Sequence, residues 1–600
     1  MPNLDVNFNG STLVLPGAYY ADNVSNALGS TQPATPPLIF LGNSYGLKPF
    51  TPTTFAGSTL SAQLLAAIRG GPASGFVPFL TNPSGQLNGA GQITFINVAP
   101  NTQSSLTLNS GSSGVINLTS ANYGLPSNQL QAQLQTGTAA GKNVSLYDQY
   151  ANLSVTGVNL GVPFNLAYTG TATGVTYSVI ASGANNAVTF QTNSPNAGES
   201  VTLNLGAYAT VEQVVQYLSG TGYYSAYVLS NGALPSSSLD AASGISLGIP
   251  VSGVDQYVGV NATLGDIVFW VNQYASGYAS AVIASGITSS SGVAPTNIPY
   301  TLFSGATSVT PTTANYASGF NAALTVPGWA VFAGSNASGV IALGAQHVQT
   351  ASSITNKSWR RFFSGSSIGD SISTTLAAAA SMSEINATYV YPGIYRTNIQ
   401  TGVNELHGGL YAAAAVAGMA TGNPPATPLT NKSLTGNGVE IALTVSQIDQ
   451  LQQGGVMPIA VSQITGLPTV LSDFTTWLDD ANPENVFNQQ VACRYYAAYA
   501  LTGALQPYVG TIASPFNETI VLNAAKQMLN GLIYSQTNQN GVLSSWDPTT
   551  LQLVYTGANQ TAGITVNVIL VGQNRMIPMY VNILPLNITL TASSTGGSPT

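Results

Sequence analysis

The sequence predicts a multidomain protein of mixed α/β and α+β class, and three observations carry that prediction. From about residue 300 onward, strand-like runs alternate with helix-like runs, the pattern of a largely parallel sheet layered with helices. Between about 100 and 300, short alternating runs such as TYSVIA, AVTFQT and VTLNLG are separated by Gly, Asn and Ser, which marks a mostly antiparallel β region. Both ends carry stretches in which apolar and polar residues alternate, as on a strand with one buried face. The chain then divides into an N-terminal arm at 1–25, the first part of a core at 26–100, an inserted β-rich domain at 101–300, an α/β core at 301–470, a C-terminal α+β domain at 471–575 and a C-terminal arm at 576–600.

In order along the chain, Leu4, Val6 and Phe8 alternate with Asp5, Asn7 and Asn9, and Pro16-Gly17 ends the run. LIFL at 38–41 reads as a buried strand, SAQLLAAIRGG as a short helix closed by Gly70-Gly71, and QITFINVAP as another strand. Within the insert, TVEQVVQYL is the one helix expected. WAVFAG is a strand followed by a helix around ASGVIALGAQHVQ, and ATYVYP is a strand leading to the helix GGLYAAAAVAGMA. That helix is too short to span a bilayer and is stopped by Gly-Asn-Pro-Pro, so it reads as buried. SQIDQLQQGG is a helix ending at Gly454-Gly455, before the strand VMPIAV. ANPENVFNQQVACRYYAAYALTGAL reads as a single helix, with Asn482 as N-cap, Pro483 at the first position and Glu484 favoured by the helix dipole. NETIVLNAAKQMLNGLIY is a second helix, and the closing strands include the alternating Met579, Val581 and Ile583. A terminal strand outside any local hairpin can find its hydrogen bonds by adding to a sheet of another molecule; Pro16-Gly17, and Gly572 with Pro578, would then be hinges.

Composition narrows the function classes. Hydrophobic residues make up 44% of the 600, ample for a core, but charged residues only 5%, against about 25% in an ordinary soluble domain. A net charge of -8 argues against a nucleic-acid partner, and none is expected. No Lys or Arg occurs between Lys142 and Lys357. Cys493 is the only cysteine, so neither an internal disulfide nor a cysteine metal cluster is expected. No basic segment followed by an apolar one opens the chain, so no secretory signal is expected.

Several of these pieces, in this order, resemble the tail sheath proteins of contractile phage tails and related injection systems. They are LVLPGAYYADN, LIFLGNSYG, FNAALTVPGWAVFAGSNASGVIALGAQHVQ, ATYVYPGIYRTNIQTG with GGLYAAAAVAGMA, SQIDQLQQGGVMPI, SSWDPTTLQLV and ITVNVILV. The resemblance covers 10–100 and 300–590 and leaves the insert unmatched. Gly393 stands where the family has Trp after Tyr-Tyr-Pro, Ala18 stands for Val in the opening arm, and the family's Gly-Ala-Arg-Thr stretch is missing. The resemblance implies a sheath-type α/β core with a subtilisin-like layer, a C-terminal domain facing the tail tube, an outward-facing insert, and arms exchanged between neighbours. It implies a structural, non-enzymatic subunit without cofactors, assembled in the host cytoplasm into a virion. Its partners would be other copies of itself, the tail tube protein, and baseplate and tail terminator proteins, with no membrane insertion.

A subtilisin-like layer calls for a search for a Ser/His/Asp triad. His347 lies in a helix and His407 precedes one, and neither adjoins a nucleophile motif. Cys493 sits mid-helix among Val491, Tyr495 and Tyr496, as a small hydrophobe would. Asp479, Asp480 and Glu484 are of calcium-ligating type, though a helix cap and turn explain them as well. Arg360-Arg361, the one basic pair, is a candidate contact with the tube or a neighbouring subunit, or else an intrachain anchor. No glycine-rich phosphate loop follows a strand, so no nucleotide is expected. Two other classes stay open from sequence: a surface-array or adhesin protein, and a tail-associated carbohydrate-cleaving enzyme with a carboxylate pair.

Overall fold

Long apolar runs become the middle strands of one large sheet. The computed structural model describes residues 6–8, 11–13, 34, 36–180, 186–193, 198–353, 356, 358–398, 401–478, 483–508, 515–556 and 561–572. Its largest sheet has eight strands, in the spatial order Pro468–Val470, Val456–Val461, Ala387–Tyr391, Arg361–Gly365, Ala330–Ala333, Leu38–Gly42, Gln92–Asn97 and Pro52–Ala56. The six inner strands are mutually parallel and the two edge strands antiparallel. Four of the inner strands are buried along their whole length, as expected where helices cover both faces of a parallel sheet.

The pleat sorts side chains between two apolar layers. Leu38 and Phe40 pack with Phe95, Phe332, Phe363 and Val390 against the helices Leu60–Ile68, Val77–Thr81 and Gly409–Gly422. Ile39 and Leu41 point the other way, with Val331, Phe362 and Tyr389, against Thr313–Ala323, Ser338–Ala351, Ile372–Met382 and Val445–Gln453. The alanine-rich helix Gly409–Gly422 is buried as read from sequence. A Cβ on Gly418 would sit 2.3 Å from the Leu80 carbonyl oxygen, so glycine is what lets the two backbones approach. Among the described residues no helix is long and apolar enough to cross a membrane.

The strand Arg361–Gly365 and the helices Thr313–Ala323 and Ile372–Met382 join the strand–helix alternation without having been singled out from sequence. The strand is hidden because only Phe362 and Phe363 are apolar between Arg361 and Ser364-Gly365.

Between Asn97 and Thr313 the chain leaves this sheet and builds four smaller antiparallel sheets around two separate apolar clusters. One cluster includes the helix Val211–Gly220, whose N-terminus carries a capping box between Thr210 and Gln213. The other includes a second helix, Gly265–Tyr274, where only one helix was expected in the region. Its Ile, Val, Phe and Trp favour strands and no side chain caps its start, so tertiary packing overrides local preference here.

In the C-terminal part, Asn488–Leu505 and Pro515–Gly531 pack on short strands and on Trp329 of the core. The single helix expected from 482 onward is two. Pro483–Val486 ends at Phe487, whose φ of -101° and ψ of 121° are extended. The backbone there pairs sideways instead: Thr475 N–H donates to Val486 O at 2.8 Å and Asn488 N–H to Asp473 O at 3.1 Å. Asn482, the expected N-cap, lies outside the described residues.

Candidate functional site

In open α/β sheets, ligands lie beyond the carboxyl ends of the strands. Here the carboxyl end of the strand Arg361–Gly365 is covered by the chain itself. A Cβ on Gly365 would sit 2.3 Å from the Gly409 carbonyl oxygen, and the first turn of the helix Gly409–Gly422 donates from Leu410 N–H to Ser366 O at 3.0 Å. The helix start thus spends its donor on the chain itself. Among the described residues no three His, Cys, Asp or Glu side chains converge as metal ligands would.

The residues with reactive chemistry are built into packing. His347 is buried against Phe320, and its Nε2 lies 3.2 Å from Arg360 Nη1. Burial, with the Arg360 charge adding to it, pushes its pKa down to about 3, so the ring is neutral and accepts from the guanidinium. His407 stacks edge-on to Phe79, with Glu405 3.9 Å away, and burial holds its pKa below the ordinary value. Cys493 is fully buried, and burial pushes its thiol up to about 12, so it behaves as a small hydrophobe. Asp479 and Asp480 lie outside the described residues.

Of the two readings left open for the arginine pair, a contact with the tube or a neighbour and an intrachain anchor, the side chains are used within the chain. Arg360 and Arg361 are both buried, and as adjacent residues entering one strand they point to opposite faces. Arg360 closes the end of the helix Thr313–Ala323, donating to Ala323 O at 2.9 Å, Val326 O at 3.0 Å and Ser358. A cation suits the carbonyl end of a helix dipole. Arg361 donates to Asn488 Oδ1 at 2.8 Å and Ala420 O at 3.2 Å and lies over the Trp329 ring at 5.4 Å. Burial lowers the pKa of each to about 10. Neither guanidinium is available to a partner.

Arg361 belongs to a polar joint between the large sheet and the C-terminal helices. Asp473 is buried beside it; neither carboxylate oxygen has a hydrogen bond of good geometry, but the Asn488 side chain and the backbone N–H groups of Leu429 and Gln489 lie close enough to oppose the rise in its pKa. Arg361 Nε, Asn488 Nδ2 and Gln489 Oε1 likewise lack such a bond. A space of about 10 Å3 between these groups and Pro424 and Pro425 has room for a single water. Burial pushes the Asp473 pKa up to about 6, against the opposing pull of Asn488 and Arg361.

The other junction joins the core to the insert and was not anticipated from sequence. Arg69, in the left-handed position after the helix Leu60–Ile68, forms a bidentate pair with Asp148 at 2.7 and 2.9 Å. The Tyr150 ring covers the guanidinium at 4.6 Å, and the Tyr150 N–H also donates to Asp148. Among the described residues, this and the His407–Glu405 approach are the only acid–base contacts. Asn101 reinforces the neck, donating to Ser44 O at 2.8 Å and accepting from Val309 N–H at 2.7 Å.

Of the residues expected to act as exchanged arms, Leu4, Pro16, Gly17, Met579, Val581 and Ile583 lie outside the described residues. Val6 and Phe8 belong to a short strand paired antiparallel with Ser11–Leu13, in the register Val6 with Leu13 and Phe8 with Ser11. The strand therefore has a local partner on one side, contrary to the expectation that it stands outside any hairpin.

No protein-family model matches the chain. The tail sheath protein of Bacillus phage SP01 is 26% identical over 492 residues, covering 79% of this chain and 81% of that one. Among solved structures, a sheath tail protein from Listeria innocua matches with a TM-score of 0.53 at 9% identity, over 91% of this chain and 98% of that one. A sheath tail protein from Desulfitobacterium hafniense matches at 10% identity over 93% and 98%, but its TM-score of 0.48 adds no weight.

Proposed function

We propose that this chain, a homologue of tail sheath proteins, is the structural subunit of a contractile viral tail sheath. The observation that carries the reading is homology spread over about four-fifths of both chains. The covered carboxyl end of the strand Arg361–Gly365 and the inward use of histidine, cysteine and arginine accord with a protein that acts through its surfaces.

On this reading, copies polymerise helically around a tail tube in an extended state and repack into a shorter, wider lattice. The motion drives the tube through the host envelope. The driving free energy is held in interfaces with two arrangements, not in a chemical fuel. The eight-stranded sheet with its helices serves as the subtilisin-like layer, 471–575 faces the tube, and 101–300 faces outward. Residues 1–25 and 576–600 serve as strand-exchange arms, with Leu4, Val6, Phe8, Met579, Val581 and Ile583 as register residues and Pro16 and Gly17 as a hinge. Baseplate and terminator proteins meet the ends of the polymer, which assembles in the host cytoplasm. The N-terminal hairpin leaves a second strand edge through which the arm can still add to a neighbour.

Negative-stain microscopy of the purified chain tests the reading. Tubes are expected. Flat lattices would favour a surface-array protein, and discrete particles a tail-associated enzyme. Removing residues 1–15 or 577–600 is expected to abolish tubes, and full-length tubes at normal yield from either truncation would rule out arm exchange.

A further inference from the structure

The insert is itself two units, one threaded into the other. Of its four antiparallel sheets, two are built from strands within 103–160 and 279–302, two from strands within 164–260, and no sheet mixes the sets. The helix Gly265–Tyr274 joins the apolar cluster of the first set, the frame unit. The nested unit, 164–260, has an apolar cluster of its own, against which Phe269 of the frame unit packs. A core of its own is the mark of a domain.

The chain crosses between the units twice, at 161–163 and 261–264. The crossings lie side by side, with Ala262 N–H donating to Gly161 O at 3.0 Å. Gly161 has a φ of +95°, which favours glycine, and a Cβ there would stand 3.2 Å from Thr263 O. A cleft of about 160 Å3 opens at the crossings, among Lys142, Leu160, Val162, Asn261, Thr263 and Pro295. Two backbone segments beside an open cleft do not by themselves fix an angle.

Two buried aspartates span the boundary in opposite senses. Asp266, in the first turn of the frame helix, is fully buried. It accepts from Gly161 N–H at 2.8 Å and, in the nested unit, from Ser230 Oγ at 2.6 Å and Asn231 Nδ2 at 2.5 Å. Asp240 belongs to the nested unit and is 6% exposed. It accepts from Thr263 N–H at 2.9 Å, from Thr263 Oγ1 at 2.5 Å and, in the frame unit, from Ser289 Oγ at 2.5 Å. Ser289 Oγ in turn accepts from Leu264 N–H at 2.9 Å. Each carboxylate thus gathers three donors from the opposite unit or a crossing, and turning one unit on the other would strand buried donors and a buried carboxylate together. Between 101 and 300 the chain has six acids, Asp148, Glu199, Glu212, Asp240, Asp255 and Asp266, and one base, Lys142. Two of the acids serve this boundary and Asp148 serves the neck to the core, so half of them are spent at junctions.

We infer that Asp240 and Asp266 are a reciprocal lock, which holds a separately folded nested domain in one orientation on the frame unit. The lock stands independently of the sheath reading. Within that reading it makes the insert one rigid projection instead of two units jointed at Gly161.

Paired spin labels on the unassembled full chain read the orientation. Gln273→Cys on the frame helix and Gln216→Cys on the nested helix Val211–Gly220 place labels at exposed sites, while Cys493 is buried and stays unlabelled. A single narrow distance distribution is expected. Asp240→Asn with Asp266→Asn is expected to widen it at least twofold, while a second label pair inside the nested unit, at Gln216 and Thr202, keeps its width. Asp255→Asn, an acid away from the boundary, is expected to change neither. A broad distribution in the otherwise intact chain, or a narrow one without the two carboxylates, would overturn the lock. Should the double variant unfold the nested unit, seen as widening of the internal pair, Ser230→Ala with Ser289→Ala removes one donor from each carboxylate. Widening of the cross-boundary pair alone then supports the lock, and no widening overturns it. None of these outcomes bears on whether the chain forms a sheath.

Discussion

Two junctions leave the large sheet, and they use charge differently. Toward the insert, Arg69 and Asp148 meet face to face in a bidentate pair under the Tyr150 ring. Toward the C-terminal helices, Arg361 and Asp473 are equally buried but make no direct ion pair, and several neighbouring polar atoms lack partners. A buried pair in contact fixes geometry, because either charge alone is costly inside a protein. A buried polar cluster with no ion pair in direct contact lacks that constraint. The insert is therefore read as latched to the core, and the C-terminal part as set on an adjustable joint.

The largest expected effect comes from breaking the latch. Arg69→Ala or Asp148→Ala should cost about 3–5 kcal/mol in denaturant unfolding, because the remaining charge stays buried. Arg69→Met with Asp148→Leu should cost clearly less, since apolar replacement of both partners removes the stranded charge. Single losses below about 1 kcal/mol would mean that Asn101 and the backbone bonds of the neck hold the insert without the pair.

The joint has a pH signature of opposite character. Asp473 has a folded pKa near 6, above the ordinary carboxylate value, so the folded protein holds an extra proton between about pH 4 and 6. Its contribution to stability is then greatest below about pH 4 and falls by ~3 kcal/mol as pH rises through 6. His347 works the other way. Its folded pKa is depressed, so its contribution is complete above about pH 6.5 and lost as pH falls toward 3. The difference between the intact chain and Asp473→Asn in unfolding across pH 4–7 isolates the joint. A difference that does not vary with pH would show that Asp473 is already ionised and well solvated.

The smallest effect concerns salt. Surface ion pairs contribute about 0–1 kcal/mol each and are screened by salt, and four of the described arginines are buried. Tubes followed by light scattering should therefore persist from low salt to 1 M sodium chloride. Dissolution at high salt would place the lattice under the control of a few exposed charges.

The sequence made some of this legible and hid the rest. The strand Leu38–Gly42 was readable because an unbroken apolar run is a local signal, and the helix Val211–Gly220 was readable from the segment TVEQVVQYL. The break at Phe487 was not, because its cause is backbone pairing with 473–475. Arg69 and Asp148 are 79 residues apart, and nothing local connects them. Arg360 and Arg361 were visible as a pair, but which way each points is decided by the pleat of a strand in which only Phe362 and Phe363 are apolar.

The most direct test is cryo-electron microscopy of tubes in the extended and contracted states, with the subunits superposed on the six parallel strands. The account predicts that the insert superposes along with the sheet and keeps the Arg69–Asp148 contact. The helices Asn488–Leu505 and Pro515–Gly531 should shift about the Arg361–Asp473 joint. An insert that swings on its neck while the C-terminal helices stay fixed, or a purified chain that yields no contractile tube, would contradict it.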